Sequence, residues 1–366
     1  MNRPRTVSHA NAERILYLNE INHRSGAMSR WERLRHGPMH PFVECFAEAM
    51  GVFMYVYAGV GSQAVWVVGN LLKEVGASSI MQIGFAYAAG ICLAITVCSA
   101  TSGGHFNPCI TIIMVLFKGF PKLKAVRYIV AQLLGGYIAC LLIYAQYRHT
   151  ILAIEAATPP AVLAAIQYTP SGLPGIFALY VAPGSSLGQV FLNEFVCDFF
   201  LAIVIFGATD ASNVLVPPST APFIIAMAYA AAIWGFAAVG LSANAARDLG
   251  GRFAAMSIWG SAAAGNKGYA AIAALTNIPA TILACLVYEL VFVDSDRGVC
   301  FALLAWIPCS KSLIRIFLVV SQMHREYHDV HALHRKHGHA AAAHGAEDDH
   351  TSSEHEKGTV GVNERV

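Results

Sequence analysis

Two asparagines stand where a loop turns into a short apolar segment. The first follows Ser102, Gly103, Gly104, His105 and Phe106 and opens Asn107-Pro108-Cys109. The second follows Gly240-Leu241-Ser242-Ala243 and opens Asn244-Ala245-Ala246-Arg247-Asp248. An asparagine side chain accepts from the free N–H groups that begin a helix, and proline suits the first helical position, where its missing N–H removes nothing. Asn107 therefore reads as the cap of a helix starting at Pro108. Asn244 reads as the cap of a second helix, in which Ala245, the best helix former, stands in the proline position. Each capped end exposes roughly half a positive elementary charge. Two such ends facing one another repel a cation or a hydronium ion, while a neutral hydroxylic molecule can accept from the asparagine amides. Arg247 adds a full charge about one turn beyond Asn244. An arginine there can also snorkel to an interface or pair with Asp248, but beside a capped helix too short to cross a bilayer it reads as a pore residue. The chemistry on offer is electrostatic exclusion. No nucleophile–base pair, phosphate loop or metal-ligand constellation appears, so neither an enzyme nor a bound cofactor or metal is expected.

What must position these residues is a set of membrane spans. Of 366 residues 56% are hydrophobic and 13% charged, with a mean hydropathy of +0.53. That charged share is about half of what a soluble domain carries, and the apolar residues gather into runs near the roughly 20 residues a bilayer crossing needs. A net charge of +2 gives no footing for nucleic acid as a partner. The nine cysteines lie in apolar stretches and form no C-x-x-C pair, so neither a disulfide framework nor a zinc site is indicated. Residues 1–40 are polar and lack the apolar core of a cleavable signal.

The spans are expected at residues 42–68, 79–98, 125–147, 187–208, 221–241 and 269–293. The asparagine-headed segments, 107–117 and 244–259, are too short to cross and are expected to re-enter. Residues 148–187, rich in Pro and Gly, read as one long loop. Basic residues cluster before the first span (Arg24, Arg30, Arg33 and Arg35 among them) and after the second (Lys118, Lys122, Lys124, Arg127), while the intervening loop has only Lys73. The positive-inside rule then puts both clusters and both termini in the cytoplasm. Ala47-Glu48-Ala49 in the first span and Asn193-Glu194-Phe195 in the fourth open two weakly similar halves of three spans each. Three is odd, so the second half is inverted relative to the first, a transport architecture. The expected fold is an all-α membrane protein with six transmembrane helices plus two re-entrant half-helices in an inverted repeat. It would occupy residues 41–296, between a cytoplasmic tail at 1–40 and a C-terminal part at 297–366.

On these residues the chain resembles the aquaporin (major intrinsic protein) family. Asn107-Pro108-Cys109 and Asn244-Ala245-Ala246 are similar to its paired NPA boxes, and Arg247-Asp248 followed by Leu249-Gly250-Gly251-Arg252 resembles the aquaglyceroporin branch, whose fungal members have long polar tails. The resemblance implies a six-helix bundle with two half-helices, assembled as a homotetramer in the plasma membrane. Each subunit would pass small neutral solutes such as glycerol and water across the lipid bilayer. It also implies a selectivity filter of Tyr87, Ala232, Leu241 and Arg247, placed by spacing from the two boxes. Water-specific members place histidine where Ala232 stands, so a methyl group there implies a wider constriction; Asp248 marks the glycerol branch. Two departures stand out: Cys109 replaces one box alanine and Ala245 one box proline. Cys109 and Ala246 are expected to meet where the family's two alanines touch.

Glu48 and Glu194 lie within apolar spans, where ionisable groups are expensive and functional. They could hydrogen-bond the loops before Asn244 and Asn107 and act as scaffold; His105 is expected to brace its own loop, and Glu44 to sit at the interface. Beyond residue 297 another apolar run, 298–320, is broken by Pro308, Lys311 and Arg315, which argue against a seventh span. Nine of the fifteen histidines fall between His324 and His355. Three of them, His324, His328 and His331, would share a helix face, so metal binding or pH sensing is an alternative to a solvated tail. The alternative functions are a water-dominant or hydrogen-peroxide-conducting pore and, from another class, a non-conducting membrane sensor.

Overall fold

The structure, a computed structural model, describes residues 25–74, 76–210, 213 and 215–293. The apolar run at 298–320 and the histidine cluster lie outside the described residues. The described residues up to Glu44 form one compact unit and those from Cys45 another. In the first, helix α1 (Gly26–His36) buries no residue, and Glu44 is buried with His40 at 3.2 Å.

Among the described residues six helices are long and apolar enough to cross a membrane. They are α2 (His40–Leu71), α3 (Ile80–Ser102), α5 (Lys122–Ala157), α7 (Leu187–Thr209), α8 (Ala221–Phe236, continued by a 3₁₀ turn to Val239) and the pair α10 (Lys267–Leu275) with α11 (Asn277–Val287). The last pair is one span interrupted at Thr276, because Pro279 three residues on has no N–H to continue the ladder. Two short helices complete the set: α4 (Pro108–Lys118) and α9 (Ala245–Trp259). Among the described residues there is no strand. The spans fall within a few residues of the expected ones, with one correction. The expected loop at 148–187 is helical over its first part, since α5 runs on to Ala157 and a further turn, α6 (Pro160–Ile166), follows. Residues 148–157 contain neither Gly nor Pro and bury Ile151 and Ile154, so nothing stops the helix before Pro159.

The outer surface identifies the solvent. Along α5 the side chains of Val126, Val130, Leu134 and Ile138 are 59%, 52%, 50% and 48% exposed, four apolar residues in register on one face. An apolar helix whose outward face is also apolar belongs in lipid. The chain is an integral membrane protein.

Inside, α5 and α9 approach backbone to backbone. A Cβ on Gly136 would lie 2.7 Å from the Ala246 carbonyl oxygen, and one on Gly250 would lie 2.8 Å from the Tyr137 nitrogen. Small residues permit such contact where lipid supplies no hydrophobic drive for helix association. Gly136→Val is expected to push α5 off the first turn of α9 and destabilise the fold by about 1–3 kcal/mol. Thermal unfolding in detergent checks this, and an unchanged midpoint would show that the contact can relax freely. On the opposite side α3 meets α8, where Trp234 Nε1 donates to the Met81 carbonyl at 3.1 Å and its ring meets Phe85 edge-on at 4.8 Å.

Candidate pore

Each asparagine caps its helix as its local sequence dictates. Asn107 Oδ1 accepts from Cys109 N at 2.9 Å, with Pro108 in the first turn, and Asn244 Oδ1 accepts from Ala246 N at 2.9 Å. Alanine in place of proline therefore leaves the second half-helix capped. The residue before each asparagine is left-handed, Phe106 at φ 47° and Ala243 at φ 57°. Non-glycine residues adopt that conformation only when their surroundings enforce it.

Here the enforcement comes from the two buried glutamates. Glu48 Oε1 accepts from His105 N at 3.0 Å and Oε2 from Phe106 N at 2.8 Å; Glu194 accepts from Ser242 N at 2.8 Å and Ala243 N at 2.7 Å. Each glutamate thus holds the loop of its own repeat, a correction to the expected crossed arrangement. A carboxylate reaches the loop that packs beside its own span first, and both of its oxygens are then taken. Glu48 also accepts from Ser102 Oγ at 2.6 Å and Gln132 Nε2 at 2.7 Å. His105 Nδ1 lies 3.1 Å from Thr111 Oγ1, and its ring packs on Phe120 and Tyr128.

The two loops then meet. Asn107 Nδ2 donates to the Ala243 carbonyl at 3.4 Å, and Asn244 Nδ2 donates to the Phe106 carbonyl at 3.0 Å. The positive ends of both half-helices therefore converge on one place. That place opens into a cavity of about 1250 Å³, lined by both asparagines and by residues 103–106 and 240–243. Along α3 it is lined from Ile80 to Ser99, which is about 28 Å of helix at 1.5 Å per residue and comparable to the hydrocarbon thickness of a bilayer. Among the described lining residues the fixed charges are Lys118 and Arg247, with no carboxylate.

Arg247 is 3% exposed and held from three sides. Its Nε donates to Tyr87 Oη at 2.8 Å, Nη1 to the Phe177 carbonyl at 2.5 Å and Nη2 to Gln63 Oε1 at 3.1 Å. Three of its five N–H donors are used, leaving two for a passing molecule. It neither snorkels nor pairs with its neighbour. Asp248 instead takes Arg252 in a two-point ion pair, at 2.6 Å and 3.2 Å. Arg252 in turn donates to the carbonyls of Ala264 at 2.7 Å and Leu179 at 3.1 Å. Asp248 is fully buried and does not line the cavity. Both arginines grip the 177–179 segment, Arg247 at the Phe177 carbonyl and Arg252 at that of Leu179.

Tyr87, Leu241 and Arg247 line the cavity together, but Ala232 does not. It is 2% exposed and packed with Cys197, Leu201 and Ala228, and the cavity face of α8 carries Tyr229 and Ile233 instead. Counting back from Asn244 crosses the 3₁₀ turn at 237–239 and Gly240 at φ 112°, so the α-helical face is not preserved across the count. Cys109 Sγ donates to the Asn277 carbonyl at 3.0 Å and packs with Ile113, Phe117 and Cys285.

Sequence reasoning missed Gln63, Tyr55, Tyr229 and the Phe177 carbonyl. Gln63 joins Arg247 to the loop by donating to the Gly175 carbonyl at 2.7 Å. A buried arginine demands several acceptors, and the uncharged Pro/Gly-rich stretch before residue 187 was the place to seek them.

A helical membrane protein with a cavity of bilayer length, walled by two half-helix ends, is a channel. Residues 38–263 match the family described as major intrinsic protein. An aquaporin of Laccaria bicolor is 52% identical over 340 residues, covering 92% of this chain and 96% of the relative. Aquaglyceroporin-2 of Rhizophagus irregularis is 35% identical over 213 residues, 58% of this chain and 64% of that protein. Among solved structures, the aquaglyceroporin from Plasmodium falciparum aligns with a TM-score of 0.59 at 20% identity, covering 69% of this chain and 97% of that one, a likeness of fold. The chain belongs to the major intrinsic protein family: it is an aquaporin-type channel and not an enzyme.

Proposed function

We propose that the channel passes glycerol, water and other small uncharged solutes passively and refuses ions and protons. The observation that carries this reading is the convergence of two capped half-helix ends and Arg247 on a cavity whose described wall has no carboxylate. A cation entering meets about half a charge from each helix end plus a full guanidinium charge, with no carboxylate on the described wall to offset them. A neutral polyol keeps its hydrogen bonds, because loop carbonyls accept while Arg247 and the asparagine amides donate. Glycerol is favoured by Asp248, which resembles the marker of the glycerol branch, and by the relative whose name includes aquaglyceroporin. On this reading the subunits assemble as a homotetramer in the plasma membrane with both termini cytoplasmic, and the asparagine boxes together with Tyr87, Leu241 and Arg247 form the selective path.

A water-dominant pore is the second reading. It is favoured by the bond from Arg247 to the Tyr87 hydroxyl and by Ile233, bulkier than alanine, on the facing helix. Stopped-flow light scattering of proteoliposomes separates the two: glycerol reswelling above empty vesicles supports the first, and water flux without glycerol flux supports the second. Flux equal to empty vesicles for both solutes would overturn the channel reading in favour of a sensor.

A further inference from the structure

The cavity carries bulk and hydroxyl chemistry at the asparagine level that the Arg247 ring does not include. Beyond its first turn, helix α8 meets the cavity through Ile225, Tyr229 and Ile233, about one residue every turn, so this face points inward. Tyr229 is the largest of the three, and it packs against the cluster that holds Leu241 and Ala243, next to Asn244. From α2, Tyr55 lines the same cavity and donates to the Phe106 carbonyl at 3.4 Å, the oxygen that also accepts from Asn244 at 3.0 Å. One phenol therefore stands at each asparagine loop, Tyr55 at Phe106 and Tyr229 at Ala243. Two rings on one cavity wall narrow the path, and their hydroxyls add donor and acceptor capacity beside the asparagine amides.

We propose that Tyr229, with Tyr55 facing it, is a specificity-determining residue that sets the length and width of solute passing the two asparagines, independently of the constriction at Arg247. This rests on the channel reading but not on glycerol as the cargo. A solute that clears Arg247 still has to thread between two phenols that cannot both withdraw, since Tyr55 is 5% exposed and held at the Phe106 carbonyl.

The full chain in proteoliposomes tests it with a graded series: water, glycerol, erythritol and xylitol. Tyr229→Ala is expected to raise the erythritol-to-water permeability ratio by roughly tenfold, the scale on which a pocket changes its discrimination when bulk is removed. Tyr229→Phe, which keeps the ring, should leave the size cut-off unchanged and alter only the temperature dependence of water flux. If the alanine variant loses water flux altogether, Tyr229→Leu carries the same test with less cavity. An erythritol-to-water ratio equal to wild type in a water-conducting Tyr229→Ala or Tyr229→Leu overturns the inference. Wild type that refuses glycerol beside a Tyr229→Ala that admits it would overturn the cargo proposal and support this one. Absence of water flux from wild type would remove the channel reading and this inference with it.

Discussion

Glu194→Ala is expected to abolish the conducting pore rather than alter its selectivity. The carboxylate is fully buried and accepts from Ser242 N at 2.8 Å and Ala243 N at 2.7 Å. Removing the carboxylate leaves both N–H groups without the acceptor that holds the loop. Each orphaned donor costs about 1–3 kcal/mol, so the loop before Asn244 loses roughly 2–6 kcal/mol. Ala243 is then free to leave its left-handed conformation, and with it goes the carbonyl that accepts from Asn107 at 3.4 Å. The damage therefore crosses from the second repeat into the first. Glu194→Gln keeps one acceptor oxygen and should retain part of the stability. The measurement is the fraction of monodisperse protein after heating in detergent, followed by water flux of the surviving fraction. An alanine variant as heat-stable as wild type would mean that the loop finds other acceptors and that the glutamate is not its scaffold.

That pairing of glutamates with loops shows where sequence reasoning reaches its limit. The half-helices were legible because capping is local: an asparagine, a preceding glycine-containing loop and a following helix former occupy neighbouring positions, and backbone geometry does the rest. The spans were legible because about twenty apolar residues have few other fates. Glu48 and Glu194 announced themselves as buried ionisable groups, yet which loop each would hold depends on contacts across 48–58 positions of chain. Gln63 gave no signal of its own, and its role exists only because the 173–177 segment folds back to Arg247. Ala232 was misplaced for a more instructive reason. A residue count is a reliable ruler along an unbroken helix, but the 3₁₀ turn after Phe236 and the left-handed Gly240 rotate the chain before Asn244 is reached. One position of error exchanges a core alanine for Ile233 on the wall. In family terms the filter was carried over as four residues; in this chain three of them share the cavity.

Arg247→Val is expected to produce the largest change in what the channel refuses. The guanidinium is the only full charge at its end of the described wall, and its loss leaves the two helix ends, each about half a charge, as the remaining barrier. Proton conductance should rise at least tenfold over wild type, equivalent to removing about 1.4 kcal/mol from the barrier. That is a modest demand on a buried unit charge, whose interaction with a second charge a few ångströms away is several kcal/mol even at a protein-like dielectric. Selectivity among neutral solutes should loosen at the same time. Tyr87 loses the donor at 2.8 Å that fixes its hydroxyl, Gln63 loses the one at 3.1 Å, and the Phe177 carbonyl is left facing the cavity. Arg247→Lys separates the two effects: it keeps the charge but cannot reach three acceptors in three directions. Proton exclusion should therefore survive in the lysine variant while the polyol cut-off relaxes. Decay of an imposed pH gradient in proteoliposomes reads the first quantity, and reswelling in erythritol reads the second. If the valine variant holds a pH gradient as well as wild type does, exclusion resides in the half-helix ends alone and Arg247 serves only to shape the path. If the lysine variant leaks protons, the three-point clamp, and not the charge, is what keeps the barrier in place.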